Sequence, residues 1–312
     1  TVTAGEMIGY CGAPGGMCAV AGTRDASLAL ALAKQGSFTV QCLFADQGEC
    51  LEARRAIDAE GVYGTVSANT FDRKRLPYTN NLLNLVVIGS FESLAEGGLS
   101  VDEVLRVLAP LGTACVGTSS PAGSAKGLAE SLLARLKETG VADLSVVEGN
   151  GLWVRFRKAW PESIDEWSHF LHGADGNPVA RDRVVGPPQH YQWTAGPMWL
   201  RCHETDSSVC AMVTAAGRLF YIVDEAPISL AGQHDLPDKW FLAARDAFNG
   251  VDLWRVPIRR WGWREWKHSW FNTRPGDVPL NIQKRLVATR DSVYATLGYH
   301  VPVSQLDART GE

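Results

Sequence analysis

The chain has 312 residues, too many for one ordinary core, so two domains are expected. Its composition, 46% hydrophobic and 21% charged, is that of a folded globular protein, and a net charge of −4 gives no electrostatic basis for binding nucleic acid or an anionic membrane surface. No apolar run approaches the ~20 residues that span a bilayer, and residues 1–6 lack the basic and apolar segments of a signal peptide.

Short apolar strands alternate with helical stretches in the first half. Gly12-Ala13-Pro14-Gly15-Gly16 reads as a turn, residues 17–21 as a buried strand, and 26–35 as a helix. A second strand is expected at 39–44. A helix follows at 49–60, with Cys50, Ala53 and Ile57 on one stripe and Gly61 past its end. A short strand is expected at 66–68 and a continuous apolar strand at 82–88, as at the centre of a parallel sheet. The helix at 100–108 has Ser100 as its N-cap and Glu103 at the third helical position, and Pro110 and Gly112 stop it. A strand at 113–117, a helix at 126–139 and a strand pair at 141–147 and 152–157 complete the half. This rhythm predicts a doubly wound α/β domain, a parallel sheet covered on both faces.

All eleven tryptophans lie at or after Trp153, and a proline closes a strand-like run at Lys158-Ala159-Trp160-Pro161. A domain boundary is therefore expected there, between residues 1–158 and 159–312. Beyond it come hairpins: strands at 210–213 and 219–223 around Ala216-Gly217-Arg218, at 241–245 and 253–256 around residues 246–250, and at 286–288 and 293–297. This half reads as all-β. The seven cysteines form no Cys-x-x-Cys pair and read as buried small hydrophobes, with a Cys202–Cys210 disulfide as an alternative.

Two segments carry a resemblance. Glu103-Val104-Leu105-Arg106-Val107-Leu108-Ala109-Pro110-Leu111-Gly112, and Leu76-Pro77-Tyr78-Thr79-Asn80-Asn81 leading into the strand at 82–88, are similar to class I S-adenosylmethionine-dependent methyltransferases. The resemblance implies that fold from about Ala4 to Arg157. It places the cofactor turn at Val20-Ala21-Gly22-Thr23-Arg24-Asp25-Ala26, where Gly22 alone remains of the expected glycines and Arg24 brings a long cation. Phe44 stands where the family has a ribose-binding acid, and Asp46 lies two residues beyond. Asp72 sits where an adenine-contacting acid is often found. The cofactor-binding candidates are thus Gly22, Asp25, Asp46 and Asp72, with capping of the following helix as the structural role open to Asp25.

In the second half, Ala244-Arg245-Asp246-Ala247-Phe248-Asn249-Gly250-Val251-Asp252-Leu253-Trp254 resembles the repeat of pyrroloquinoline-quinone-type β-propellers, and residues 306–312 look like the start of another copy. Together the halves resemble bacterial proteins, frequent in planctomycetes, that fuse a methyltransferase-like domain to a quinoprotein-like propeller. The resemblance implies an incomplete propeller in 159–312, finished by the remaining blades or by another protein chain, and export to the periplasm or cell surface, with a cytoplasmic location as the alternative.

His169, His172 and His203 have donor types that suit zinc, copper or iron if the first two share a helix face; the competing reading is a linker whose histidines pack the first blade. Trp261, Trp263, Trp266 and Trp270, in a locally basic run, are candidates for stacking on a ligand or partner. The altered turn favours a binding or scaffold protein with a degenerate methyltransferase-like domain and no bound cofactor. The alternatives are a methyltransferase with a variant cofactor loop that binds S-adenosylmethionine, and a fragment of a quinoprotein oxidoreductase. Pyrroloquinoline quinone is not expected, because no Asp-x-Asp-x-Asp calcium loop is present.

Overall fold

The structure, a computed structural model, describes residues 3–118, 122–149, 151–184, 186–187, 189–196, 200, 207–226, 239–266 and 281–312. The chain divides into two compact units, Thr1–Pro161 and Glu162–Glu312.

The first unit opens with a helix that the pattern reading passes over, α1 (Ala4–Cys11). Its start is a capping box. Thr3 Oγ1 accepts from the Glu6 amide (3.2 Å), and the Glu6 carboxylate accepts from the Thr3 amide (2.7 Å). There follow β1 (Gly15–Ala21), α2 (Ser27–Gln35), β2 (Ser37–Phe44), α3 (Gln47–Ala59), β3 (Val66–Thr70), β4 (Leu83–Ile88), α4 (Phe91–Glu96), α5 (Val101–Val107), β5 (Leu108–Thr118), α6 (Ala122–Glu138), β6 (Ala142–Gly149) and β7 (Gly151–Arg157). One seven-stranded sheet has the order β3-β2-β1-β4-β5-β7-β6. Strands β1 to β5 run parallel, and β7 lies antiparallel between β5 and β6. The fold is Rossmann-like and doubly wound. Alternate residues of each strand feed two cores. Cys18, Val20, Leu85 and Val87 join the cluster with Met7, Leu32 and Ile57. Ala19, Ala21, Val86 and Ile88 join that with Val104, Leu136 and Phe156.

Three local expectations are corrected. Gly15 and Gly16 belong to β1, not to a turn. The Asn84 side chain lies against Gly16 and accepts from the Met17 amide (2.9 Å), and any side chain at Gly16 would collide with it. The helix α5 stops at Val107, and β5 starts at once. A register shift opposite Leu83 and Leu85 absorbs Pro110 and Gly112. Ser100 does cap α5, accepting from the Glu103 amide (3.2 Å). The Glu103 carboxylate, however, turns to the Leu76 amide (2.8 Å) and Arg106 (2.6 Å), which hold it below the usual carboxylate range, Arg106 foremost. Arg106 also donates to the carbonyls of Tyr78 and Leu76, so α5 fixes the loop that leads into β4.

The second unit contains β8 (Val209–Ala215), β9 (Arg218–Asp224), β10 (Trp240–Asp246), β11 (Asp252–Pro257), the single helical turn α7 (Trp263–Trp266), β12 (Leu286–Ala288), β13 (Ser292–Thr296) and β14 (Val303–Asp307). Antiparallel pairing makes a four-stranded sheet β11-β10-β9-β8 and a three-stranded sheet β12-β13-β14. They share one core, in which Phe220, Ile222 and Leu242 meet Leu286, Val293 and Leu306. The first hairpin turns on two residues rather than three. Ala216 (φ 49°) and Gly217 (φ 74°) both lie in the left-handed region, and Arg218 already belongs to β9.

Two turns of this unit have the same construction. Asp246 Oδ1 accepts from the amides of Phe248 and Asn249 (2.8 and 3.0 Å), and Gly250 follows at φ 75°. Asp307 Oδ1 accepts from those of Arg309 and Thr310 (2.7 and 3.0 Å), and Gly311 follows at φ 77°. An indole lies on each. Trp193 covers Gly250 and donates to the Ala247 carbonyl (3.0 Å); Trp254 covers Gly311 and donates to the Ala308 carbonyl (3.2 Å). Turn and indole recur 61 residues apart, which makes this a structural repeat.

Candidate functional site

In the first unit the strand order reverses between β1 and β4. A sheet wound both ways leaves a crevice beyond the carboxyl ends of the strands at such a point. A cleft of about 710 Å³ lies there. The turn after β1 contributes Gly22, Thr23 and Arg24. The end of β2 contributes Phe44 and Ala45, and the residues after β4 contribute Gly89 and Ser90. Glu49 comes from α3, Arg73 from the loop after β3, and Trp153 from β7.

Backbone packing sets the cleft's floor. The Gly89 amide donates to the Ala21 carbonyl (2.8 Å). Gly22 has φ 66°, and a Cβ there would lie 2.8 Å from the Ser90 carbonyl oxygen and 3.0 Å from its nitrogen. A Cβ at Gly89 would lie 2.8 Å from the Gly22 carbonyl oxygen. The loops after β1 and β4 meet glycine against backbone, a close approach that other residues do not permit.

Of the four cofactor-binding candidates, Gly22 lines the cleft and the three aspartates do not. Each aspartate is held by its own loop. Asp25 Oδ1 accepts from the Ser27 amide (2.9 Å) at the start of α2. Asp46 Oδ1 caps α3 through the amides of Gly48 (2.7 Å) and Glu49 (3.0 Å). Asp72 Oδ1 accepts from Lys74 and Arg75 (both 2.9 Å), and those amides, Arg75 first, hold the carboxyl below its usual range. Phe44 does line the cleft, at 2% exposure, so the last residue of β2 brings no carboxylate. The acid present is Glu49, from the first turn of α3.

Sequence reasoning missed Glu49, Arg73 and Trp153, and treated Arg24 as an obstruction. The signal for Arg24 was its place in the β1 turn. Arg73 comes from a separate loop, and no spacing rule links it to Gly22. Among the described residues neither guanidinium has a hydrogen bond or ion pair within the protein. The cleft has apolar walls in Leu28, Leu43, Phe44 and Trp153 and a rim of two guanidiniums and one carboxylate. That arrangement suits a ligand with a flat apolar part and ionic groups at its edge.

The candidates of the second unit fall elsewhere. His169 and His172 lie in a tight bridged turn, not on a helix, with Leu171 and His172 at positive φ. His172 Nε2 pairs with Asp165 Oδ2 (2.8 Å), and His169 Nδ1 with Ser168 Oγ (2.8 Å). Their imidazoles are thus committed to different partners, and His203 lies outside the described residues. Among the described residues no group of three or more His, Cys, Asp or Glu is placed to hold a metal ion. Trp261 and Trp266 are buried in the shared core, edge to face at 6.4 Å, and Trp266 also meets Trp240 at 5.7 Å. Their burial replaces the expected stacking surface; the Trp263 side chain and all of Trp270 lie outside the described residues. Cys210 is buried and free, and Cys202 is likewise outside. No helix among the described residues is long and apolar enough to cross a membrane.

No family model and no curated protein matches this sequence. Solved structures similar to it include a putative S-adenosyl-L-methionine-dependent methyltransferase from Methanococcus maripaludis, with 20% identity and a TM-score of 0.44 over 52% of this chain and 85% of that one. The [4+2]-cyclase SpnF matches with 18% identity and a TM-score of 0.43, over 51% of this chain and 80% of its own. A SAM-dependent methyltransferase from Aquifex aeolicus matches with 14% identity and a TM-score of 0.42, over 49% and 87%. The likeness covers about half of this chain and is one of fold.

Proposed function

We propose that the first unit is an S-adenosylmethionine-dependent methyltransferase with a variant cofactor loop. The observation that carries this reading is the open cleft at the β1/β4 reversal, floored by the Gly22–Ser90 backbone approach. The altered turn, which in the sequence points to a degenerate module, keeps its critical glycine and leaves about 710 Å³ free. That is within the range of pockets that bury a small-molecule ligand, roughly 300–1,000 Å³.

The residues present fit such a cofactor. Bare backbone at Gly22 and Gly89 admits a ligand close to the sheet edge, and a Cβ at either would meet the facing loop. Leu43, Phe44 and Trp153 offer apolar walls to an adenine ring, Glu49 an acceptor for hydroxyls or an ammonium, and Arg24 or Arg73 a fork for a carboxylate. S-adenosylmethionine supplies an electrophilic methyl group. When bound, it would give that methyl to an acceptor's lone pair, its sulfur would keep the old bonding pair, and any proton on the acceptor would leave to water. The protein's part is to bind, orient and exclude water. Calorimetry with S-adenosylhomocysteine tests the reading. Micromolar binding that is lost in Gly22→Ala supports it, and no heat at about 1 mM ligand, where affinities near −4 kcal/mol register, overturns it.

A second reading concerns the second unit alone. The repeated turn and indole support the opening blades of a quinoprotein-like propeller, a binding platform completed by further blades or another protein chain. A chain extended by its natural downstream sequence, if there is one, should add further four-stranded sheets with a tryptophan on each turn; a structure of it lacking them ends this reading.

A further inference from the structure

Among the described arginines of the first unit, Arg24 and Arg73 are the two that line the cleft, and both are exposed there. Arg54, Arg106, Arg135 and Arg157 each hold a carbonyl or carboxylate of the protein. Arg24 and Arg73 line the cleft and, among the described residues, hold none. Both rise from pinned loops. Thr23 Oγ1 donates to the Asp25 carbonyl (3.1 Å) and Asp25 accepts from Ser27, on either side of Arg24. Asp72, just before Arg73, gathers the amides of Lys74 and Arg75, which follow it. Arg73 itself is at φ 60°, a conformation that costs a non-glycine residue about 1–2 kcal/mol. Gly97 makes room for it, since a Cβ there would lie 2.5 Å from the Arg73 Cβ. Strain held by a surrounding loop and directed at a cleft is a feature of ligand-binding positions.

The charges do not balance with the cofactor alone. Two arginines and one glutamate give the cleft a net +1, on a chain of net −4. S-adenosylmethionine, with a sulfonium, an ammonium and one carboxylate, is itself a net cation at neutral pH. Its carboxylate satisfies one guanidinium and leaves the other unpaired beside the added positive charge. We infer that the methyl acceptor is a small molecule bearing a carboxylate or phosphate, seated by whichever of Arg24 and Arg73 the cofactor's carboxylate leaves free. The identity as acceptor rests on the methyltransferase reading; the anion seat rests on the two arginines. Arginine suits it because its planar fork matches both oxyanions.

The test titrates inorganic phosphate and malonate separately into the full chain by calorimetry at low salt, with and without S-adenosylhomocysteine. At least one anion is expected to bind at a single site. Without S-adenosylhomocysteine its affinity should fall about tenfold or more in Arg24→Ala and in Arg73→Ala, the loss of one charge-assisted bond of about 1.4 kcal/mol; with S-adenosylhomocysteine bound, the loss should be confined to the arginine its carboxylate leaves free. Added salt should weaken it as well. The control is Arg75→Ala, which removes the same charge from the same loop but off the cleft, and should leave anion affinity within about twofold. Preference for phosphate or malonate identifies the acidic group. Binding of neither anion, or equal losses in Arg75→Ala, overturns the seat. Thermal melts of each variant separate misfolding from lost contacts, and a variant that melts early is replaced by Arg24→Lys or Arg73→Lys, which keep the charge and lose the fork. Anion binding without any S-adenosylhomocysteine binding refutes the methyltransferase reading and leaves the seat standing.

Discussion

Replacing Gly22 by alanine puts one methyl group where the turn after β1 meets the residue after Gly89. The added carbon would lie 2.8 Å from the Ser90 carbonyl oxygen, 3.0 Å from its nitrogen and 3.4 Å from Leu94 Cδ1. The two nearest atoms are backbone, so neither yields by rotating a side chain. Holding alanine at φ 66° costs about 1–2 kcal/mol. Forcing the two loops apart by a few tenths of an ångström costs about 1–3 kcal/mol more. The sum, about 2–5 kcal/mol, lowers the midpoint of a unit this size by about 5–15 °C. Separating these loops also widens the cleft floor, so S-adenosylhomocysteine binding should be lost at temperatures where the variant remains folded. Urea denaturation followed by circular dichroism gives the first quantity and calorimetry the second. A variant within about 0.5 kcal/mol of the parent, with ligand affinity intact, would show that the turn and Ser90 are not in contact and would remove the support for the site.

Lys158 provides a pH test. Its ammonium donates to Asn81 Oδ1 (2.6 Å) and to the carbonyls of Leu105 and Leu108 (both 2.8 Å), and burial pushes its pKa from 10.5 down to about 8. Between these values the unfolded chain binds the extra proton, so this group makes stability rise with pH from about 8 to 10.5 and imposes its full cost below about 8. Lys158→Met should flatten that slope, so that the variant's stability changes less than the parent's between about pH 8 and 10.5; urea titrations at pH 7 and 10 decide it. Trp254→Ala strips the Gly311 turn of its indole and of the bond to the Ala308 carbonyl, for a loss of about 2–4 kcal/mol in the second unit by urea denaturation. The six described cysteines are buried thiols outside any disulfide, and burial pushes Cys42, Cys115 and Cys210 up to about 12. No more than one thiol of the native chain should therefore react with Ellman's reagent, and all seven should after denaturation.

The strands of the first unit were legible because their apolar runs are continuous, as for residues 83–88, where every residue is buried. Gly15 and Gly16 were misread because two glycines signal a turn only when no neighbour needs the space, and Asn84 lies 67 residues beyond Met17 in the chain. The site aspartates were placed by their position after strands. Short carboxylates at helix starts and in turns are captured by backbone amides two or three residues on, and all three were. Arg73 and Glu49 reach the cleft through tertiary structure alone. Trp261 and Trp266 read as a surface because arginines flank them, yet a turn of helix carries the second indole inward to the first.

The indole seated on the next turn alters what counts as a module in the second unit. Trp193 serves the turn that closes β10, and Trp254 serves the turn that follows β14. A sheet excised at its own strand boundaries would leave behind the tryptophan that covers it and carry away one with nothing to cover. The interchangeable segment therefore runs from one tryptophan to the next, across the sheet boundary. Duplications, deletions or grafts that respect that frame preserve every dock, whereas cuts made between sheets break two.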